Sequence, residues 1–303
     1  MPELPEVETI RRDLARVLKG RRVERVSVRT AKLVRPPSLK LRGTSGGGAG
    51  SFMRKLRGRV VRGVRRRGKL LIFVLDAPDL FLLIHLKMTG QLIFRGKRQY
   101  VGGGHGYPLL RPGSEGPDDL PGKYTHITFT FTDGTALYFN DMRQFGYVRV
   151  VGDEERRRVE GTFGIEPLSK TFTAEALRER LRGRQAALKS VLLEQRTVAG
   201  LGNIYVDEAC YAARISPTRR ADSLSHAEIH ALRAGIQRVL RQALRWRGTT
   251  FGSYRDGLGG KGKFVSRLRV YGRGGEPCRL CRSVLRRVTV GGRGTTFCPV
   301  CQR

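Results

Sequence analysis

The second and third residues, Pro2 and Glu3, combine a possible amine nucleophile with a group that can carry protons. Loss of Met1 would leave a secondary amine at the start of the chain. A terminal amine has a pKa near ~8, so a useful fraction is unprotonated at neutral pH. Its attack on a sugar C1′ would form a cationic iminium, with Glu3 beside it as a proton shuttle. An ordinary helix start, with Pro5 at a first helical position, is the alternative on these residues alone.

Four cysteines near the C-terminal end have the spacing of a zinc ribbon. Two residues separate Cys278 from Cys281 and Cys298 from Cys301, and sixteen residues lie between the pairs. A four-thiolate site leaves no coordination position open, so it would be structural. Two disulfides are the alternative. Cys210 stands apart in a helical pattern and is expected in the core.

The segment between the two cysteine pairs is predicted to be a β-hairpin that contacts DNA. It turns at Gly291-Gly292, and after position 265 a single acid, Glu276, faces nine basic residues. The basic residues are Arg267, Arg269, Arg273, Arg279, Arg282, Arg286, Arg287, Arg293 and Arg303.

The charge of the whole chain favours a polyanionic partner. Lysine and arginine total 59 against 26 acidic residues in 303, a net charge of +33 that the two halves share almost equally. Two basic lobes would suit nucleic acid, although a solvated arginine-rich surface is the alternative. No run of 18 apolar residues and no signal peptide is found, so we expect a soluble, cytoplasmic protein.

The patterns along the chain predict a helix, a β-rich lobe, a helical lobe and a small metal module. Strand patterns run from Val23 to about Val150, and Asp133-Gly134 gives a type I′ hairpin signal. Segments 43–50 and 95–122 are predicted to be mobile surface insertions, and 152–168 a linker. Ser225 and Glu228 form a capping box that starts a long amphipathic helix.

Three further positions could serve a binding site. Gly200 and Gly202 precede a helix start whose free N–H groups would bind an anion, with Asn203 as N-cap and phosphate ligand. Lys69 opens a hydrophobic strand and is either a surface residue or a cation beside a phosphate. His85 lies in an apolar strand and is expected to be a satisfied core histidine.

These motifs, taken in order, resemble the bacterial formamidopyrimidine-DNA glycosylases over nearly the full length. Besides the cysteine spacing, the resemblance rests on Pro2-Glu-Leu-Pro-Glu-Val-Glu8, Arg66-Arg-Gly-Lys69, His85-Leu-Lys-Met-Thr-Gly90, Asp141-Met-Arg-Gln-Phe-Gly146, Gly200-Leu-Gly-Asn-Ile-Tyr205, Gly248-Thr-Thr250 and Val270-Tyr-Gly-Arg273.

The resemblance implies an α+β fold of two lobes. An N-terminal β-sandwich flanked by helices would occupy residues 1–151. A helix–two-turn–helix domain with a lesion-capping loop would occupy 152–263, and a zinc-finger hairpin with one structural Zn²⁺ would occupy 264–303. Double-stranded DNA containing oxidised purines or abasic sites would lie between the lobes of a monomer.

The resemblance also implies a bifunctional glycosylase and lyase for oxidised purines such as 8-oxoguanine. Pro2 would attack C1′ of an extruded nucleotide, Glu3 would help to open the deoxyribose ring, and β,δ-elimination would cut the strand on both sides. Lys69 and Arg293 complete the catalytic set. Met88, Arg143 and Phe145 would fill the gap that the extruded nucleotide leaves and hold the orphaned cytosine. Asn203 and Arg293 would bind phosphates. The remaining residues expected to bind DNA are His105, Tyr205 and Lys189.

Two other functions remain open on the sequence. A sister enzyme for oxidised pyrimidines shares the nucleophile and the finger, although the Leu4-Pro5 opening and the glycine–lysine loop at 258–263 favour the purine enzyme. A non-catalytic zinc-ribbon protein that binds nucleic acid is the second. Core packing is the alternative for Met88.

The catalytic hypothesis carries one condition, which is that Met1 must be removed before Pro2 can donate a lone pair.

Overall fold

The chain divides into two compact units. The first comprises residues 1–160 with 247–262, and the second comprises 161–246 with 263–303. The predicted boundaries differ from these units, because 152–160 and 247–262 belong to the first unit and the finger belongs with the helical part. The computed structural model describes residues 1–36, 48–96, 100–105, 120–249, 254–255 and 263–303, without the side chains of His105, Tyr254 and Arg255.

The first unit is a β-sandwich with helices against it. In chain order its elements are α1 (Leu4–Leu18), β1 (Val23–Val28), α2 (Ala49–Leu56), β2 (Val61–Arg67), β3 (Leu70–Leu75), β4 (Phe81–His85), β5 (Gly90–Arg95), β6 (Tyr100–His105), β7 (Thr125–Phe131), β8 (Ala136–Asp141), β9 (Tyr147–Val151) and α3 (Asp153–Gly161), with β10 (Tyr254–Arg255) added later. One sheet has the order β1-β7-β8-β5-β6-β10 and the other β2-β3-β4-β9, and all neighbours are antiparallel.

One apolar core joins the two sheets and α1. Alternate residues of β7 point into it, among them Ile127 and Phe129, and meet Leu71 and Phe73 of the opposite sheet. Ile10 of α1 lies in the same cluster, at the helical spacing that the sequence shows. The predicted β-sandwich is therefore confirmed, and α1 is held against it by burial of one face.

Three segments predicted to be irregular contain regular structure. In the predicted insertions, α2 begins at Ala49 and β6 covers 100–105, while 43–47, 97–99 and 106–119 lie outside the described residues. The predicted linker contains α3. The sequence of β6 has three successive glycines and no alternation, so its pairing with β5 and β10 makes it a strand.

The β7–β8 hairpin is confirmed, but its turn is not of type I′. Of the turn residues only Gly134 has a positive φ, of 79°. Its N–H donates to the Phe131 carbonyl at 3.0 Å, and Phe131 N–H donates to Thr135 at 2.9 Å. This is a type I turn closed by a glycine bulge.

The second unit contains α4 (Ala174–Leu181), α5 (Leu188–Leu193), α6 (Asn203–Ala213), α7 (His226–Arg245), β11 (Arg286–Val290) and β12 (Arg293–Phe297). The predicted capping box of α7 is confirmed, because Ser225 N–H donates to Glu228 at 2.7 Å and Glu228 N–H donates to Ser225 Oγ at 3.3 Å. The predicted β11–β12 hairpin is also confirmed. No helix in the described ranges is both long and apolar enough to cross a bilayer.

An ion-pair cluster braces the turn that carries Lys69 against α1. Glu8 accepts from Arg11 at 2.9 Å, from Arg12 at 2.8 Å and from Arg66 of β2 at 3.1 Å. Arg66 also donates to the carbonyl of Gly68 at 2.7 Å, within the turn that joins β2 to β3. Burial opposes the charge on Glu8, but the three guanidinium groups outweigh it and lower its pKa to about 2.

We predict that Glu8→Gln makes the free energy of unfolding less sensitive to pH in the acid range. A depressed folded-state pKa stabilises the protein above the unfolded value near 4.5, and this stabilisation is lost as the pH falls towards 2. The wild type should lose about 2 kcal/mol more than the variant between pH 5 and pH 2, after allowance for solvent screening. Denaturant unfolding at each pH measures the difference. Glu24→Gln changes an exposed acid and is the control; it should lose as much stability on acidification as the wild type. If all three proteins lost the same stability, the ion-pair cluster at Glu8 would not contribute as proposed.

Candidate active site and nucleic-acid interface

The start of α1 is a capping box with both acids buried. Glu3 N–H donates to the carboxylate of Glu6 at 2.9 Å, and the side chain of Glu3 accepts in return from the backbone of Glu6. Glu3 is 3 % and Glu6 2 % exposed, and Pro2 is also buried. The helix-start and catalytic interpretations are therefore compatible, because one buried segment provides both features.

A second segment, 247–249, is tied to α1 through acids of that helix. The other oxygen of Glu6 accepts from Thr249 N–H at 2.8 Å, and Arg247 pairs with the buried Asp13 at 2.5 Å. Gly248 lies between them with φ +84°, where a Cβ atom would stand 2.7 Å from Glu6 Oε1. Glycine is thus required at 248. The predicted lesion-capping loop begins here, and its residues 250–253 and 256–262 lie outside the described ranges.

Burial of the N-terminus favours an unprotonated amine. Burial lowers the pKa of the Met1 ammonium below its ordinary value. The carboxylates of Glu3 and Glu6 oppose this effect, while the positive charges of Lys69 and Arg143 add to it. Lys69 is only 3 % exposed. The structure thus brings the predicted catalytic residues of the first unit to one end of α1.

A single buried carboxylate organises the loops that carry the predicted gap-filling residues. Asp141, with no exposed surface, accepts from the hydroxyl of Thr89 and from the N–H groups of Arg143 at 3.2 Å and Gly146 at 2.6 Å. Thr89 Oγ1 in turn accepts from Arg143 N–H at 3.0 Å. The loops after β4 and β8 are therefore fixed to each other.

The side chains on these loops project into solvent. Met88 is 37 % and Phe145 is 50 % exposed, and the Arg143 guanidinium lies 4.7 Å from the Phe145 ring centroid. Core packing, the alternative for Met88, is wrong. Large apolar side chains presented on a fixed base are suited to entering a base stack.

His85 is the satisfied core histidine that the sequence predicts. It is 9 % exposed, its Nδ1 accepts from Lys87 N–H at 3.0 Å, and its ring lies against Tyr147. Burial, reinforced by Lys87, Lys69 and Arg35, lowers its pKa to about 3. The ring is therefore neutral at physiological pH and is not a proton shuttle there.

In the second unit the two predicted phosphate ligands lie beside each other. Asn203 is the first residue of α6 and follows Gly202, which is the N-cap, so the prediction that Asn203 caps the helix is wrong. Its side-chain amide donates instead to the carbonyl of Gly294 at 3.1 Å. The exposed Arg293 precedes Gly294 at the start of β12, so the finger hairpin and the start of α6 form one local site.

Two residues predicted to contact DNA serve the interior of the protein instead. Lys189 and Tyr205 have no exposed surface, so neither can touch a DNA strand directly. Lys189 Nζ donates to Asp207 at 2.7 Å and to the Gly294 carbonyl at 2.9 Å, and Asp207 accepts from Thr296 N–H at 3.0 Å. This network clamps β12 onto α5 and α6. The side chain of His105 lies outside the described residues.

The four predicted cysteine ligands converge. Their Sγ atoms lie within 4.8 Å of one another, with 3.4 Å between Cys281 and Cys298 and 4.0 Å between Cys278 and Cys301. A tetrahedral ion with Zn–S bonds of about 2.3 Å requires S···S separations of about 3.8 Å, so the donor set fits Zn²⁺. Cys210 is fully buried in α6, as predicted for a core residue.

The sequence interpretation missed the acids that hold these parts in place. Glu208, 3 % exposed, accepts from the N–H groups of Arg269, Val270 and Tyr271 at 2.9 to 3.0 Å. Asp207 and Asp141 play comparable roles. The available signal was the Asp207-Glu208 pair within an otherwise apolar helical run, since adjacent acids there must find donors.

Comparison with known proteins decides the family. The chain matches the formamidopyrimidine-DNA glycosylase N-terminal domain at 1–148, the H2TH domain of the same enzymes at 163–254, and a zinc finger found in FPG and IleRS at 275–303. It is 42 % identical to the formamidopyrimidine-DNA glycosylase of Heliobacterium modesticaldum over 100 % of both chains. With that of Symbiobacterium thermophilum it shares 41 %, over 100 % of this chain and 89 % of the other. The chain belongs to the formamidopyrimidine-DNA glycosylase family.

The fold agrees with this assignment. The structure of the Lactococcus lactis Fpg in complex with DNA containing N7-benzyl-Fapy-dG superposes with a TM-score of 0.81, at 32 % identity and full coverage of both chains. The complex of that enzyme with abasic-site DNA gives the same TM-score over 99 % of each chain. The chain is accordingly a base-excision-repair DNA glycosylase with the predicted α+β fold.

We predict that Gly90→Ala destabilises the glycosylase through the Met88 loop. A Cβ atom at 90 would lie 2.3 Å from the Leu86 carbonyl oxygen and 2.7 Å from Leu86 Cα, and backbone atoms cannot move aside cheaply. The free energy of unfolding should fall by about 2 kcal/mol or more. Gly152→Ala is the control, because its nearest neighbour would be at 3.6 Å. Equal denaturant midpoints for the two variants would show that the loop tolerates the change.

Proposed function

We propose that this glycosylase excises oxidised purines through a Schiff base on Pro2 and then acts as an abasic-site lyase. The observation that carries the proposal is the buried start of α1, where Pro2, Glu3 and Glu6 all lie inside the protein. Burial there already lowers the pKa of the terminal ammonium that Met1 carries, and the charge of Lys69 lowers it further. Its substrate would be double-stranded DNA with an oxidised purine or an abasic site. The related Lactococcus lactis structures contain DNA with an abasic site or with N7-benzyl-Fapy-dG.

The residues at this site support a balanced sequence of steps. The Pro2 nitrogen forms a bond to C1′ while the bond from C1′ to the base breaks, and the base leaves with the proton that the amine loses. Glu3 in its protonated form delivers a proton to O4′ as the C1′–O4′ bond breaks, and the nitrogen lone pair forms the C1′=N iminium. The iminium acidifies the C2′ hydrogen, and the Glu3 carboxylate can accept that proton as the 3′ phosphate leaves. Loss of a further proton from the conjugated chain then expels the 5′ phosphate.

The exposed side chains of the first unit would support extrusion of the damaged nucleotide. Flipping a nucleotide out costs a few kcal/mol, least for a damaged base. Phe145 would wedge into the stack and Met88 would fill the space that the nucleotide leaves. The planar fork of Arg143 is suited to the base edge of an orphaned cytosine. The Thr89–Asp141 hydrogen bond supports this role because it fixes the base of both loops.

Phosphate binding would fall to Lys69 in the first unit and to Asn203 and Arg293 in the second. The N-terminus of α6 adds its helix dipole to the Asn203 amide. Arg293 begins β12 directly after the two-residue turn of the finger hairpin, where Gly291 and Gly292 both have positive φ. We assign one structural Zn²⁺ to the four cysteines, which it would hold together while the Lys189–Asp207 clamp supports the hairpin from below.

We predict that removal of Met1 switches on covalent chemistry. While Met1 remains, the Pro2 nitrogen is an amide without an available lone pair. Protein with a Pro2 amino terminus verified by mass spectrometry should be trapped by borohydride on DNA containing 8-oxoguanine, and digestion should locate the adduct at Pro2. Protein that retains Met1 should give no adduct at this position.

Two outcomes would overturn parts of this proposal. No adduct from verified Pro2 protein would exclude the Schiff base and with it the lyase step. Much faster turnover of thymine glycol:A than of 8-oxoguanine:C by the same preparation would assign the enzyme to oxidised pyrimidines instead.

A further inference from the structure

Two histidines and a glutamate form a cluster in the second unit that the proposed chemistry does not use. His226 and His230 lie one turn apart on α7, with ring centroids 4.6 Å apart. Glu175, in the first turn of α4, approaches with its Oε1 3.9 Å from His230 Nε2. One donor atom of each residue lies within 4.8 Å of the others, and all three side chains are exposed.

The helices that carry these residues hold the cluster in shape. Helices α4 and α7 pack directly on each other, and Leu177 of α4 and Leu232 of α7 are fully buried. The start of each helix is fixed by a cap, from Thr173 in α4 and from Ser225 in α7. The backbone positions beneath the three donors are therefore set before any ion binds.

We propose that Glu175, His226 and His230 form a second metal site, selective for divalent transition ions such as Zn²⁺. Imidazole nitrogen and carboxylate oxygen suit zinc, nickel and copper, whereas Mg²⁺ prefers oxygen donors alone. Histidines at i and i+4 present their rings on one helix face, a known arrangement for two zinc ligands. With three protein ligands, solvent would complete the coordination.

The observed spacing is compatible with this role after small side-chain rotations. Metal–ligand bonds of about 2.0–2.2 Å place tetrahedral donors about 3.3 Å apart. The rings and the carboxylate must therefore close by up to about 1.5 Å, which exposed side chains can do by changing χ angles. The ion would then join the first turn of α4 to that of α7.

The affinity should be much lower than that of the four-cysteine site. Glu175 supplies one negative charge, but the positive ends of two helix dipoles and the net charge of +33 disfavour a cation. We therefore expect micromolar binding, so that occupancy responds to the free metal concentration. Because the ion would bind only the folded unit, a hundredfold excess over Kd should raise the Tm by about 2–5 °C.

The test uses full-length protein without an affinity tag, its finger loaded with one equivalent of zinc. Equilibrium dialysis against a series of free Zn²⁺ concentrations up to about a hundredfold above Kd, followed by metal analysis, should reach two ions per wild-type chain and one per His230→Gln or His226→Gln chain. Glu175→Gln should weaken the second ion at least tenfold. Glu179→Gln, an exposed acid on the same helix, is the matched control and should keep two ions.

Cobalt distinguishes the two sites by colour. Co²⁺ bound by thiolates gives strong sulfur-to-metal charge transfer, whereas a second equivalent at this cluster should add weak d–d bands alone. Melting curves without added metal should coincide for wild type and variants, which establishes that the variants fold. A single zinc per wild-type chain, or a second ion retained by His230→Gln, would overturn the proposal.

Discussion

The arrangement of the segment around the start of α1, where we propose that the catalytic residues lie, depends on the carboxylate of Glu6. It is buried, and its two oxygens accept from Glu3 N–H and Thr249 N–H. A buried carboxylate without donors would cost more free energy than either hydrogen bond contributes, so both donors must stay in place. The start of α1 and the 247–249 segment are thereby fixed to each other. The backbone that follows residue 2 is therefore held in a defined position.

The same principle recurs elsewhere in the molecule. In a chain of net charge +33, several of the scarce acids lie inside and accept backbone N–H groups. Asp141 fixes the two loops of the first unit, while Asp207 and Glu208 hold the finger and the segment before it. Arginines such as Arg143 and Arg293 are consequently left on the surface. The internal acids order the backbone, and the external bases supply the attraction for a polyanion.

The sequence predicts those parts that depend on short spacings. The cysteine pairs, the Ser225 capping box and the β3 and β4 strands follow from local patterns, and the structure contains all of them. Lys189 and Tyr205 were misassigned because their environment is set by distant partners; Lys189 bonds to Gly294, 105 residues away. Strand β6 was missed for the same reason, since its glycines acquire extended structure by pairing with the neighbouring strands β5 and β10. Charge alone cannot distinguish a buried lysine from one that binds phosphate.

We propose that the buried start of α1 keeps the terminal amine of Pro2 unprotonated and nucleophilic. The most direct measurement is an NMR titration of processed protein labelled with ¹³C-proline, in which the terminal proline alone should shift as its amine titrates. The pKa should lie below that of a free peptide with the sequence of residues 2–6, because Pro2 is buried and burial disfavours the ammonium form. A pKa equal to or above that of the peptide would contradict the claim.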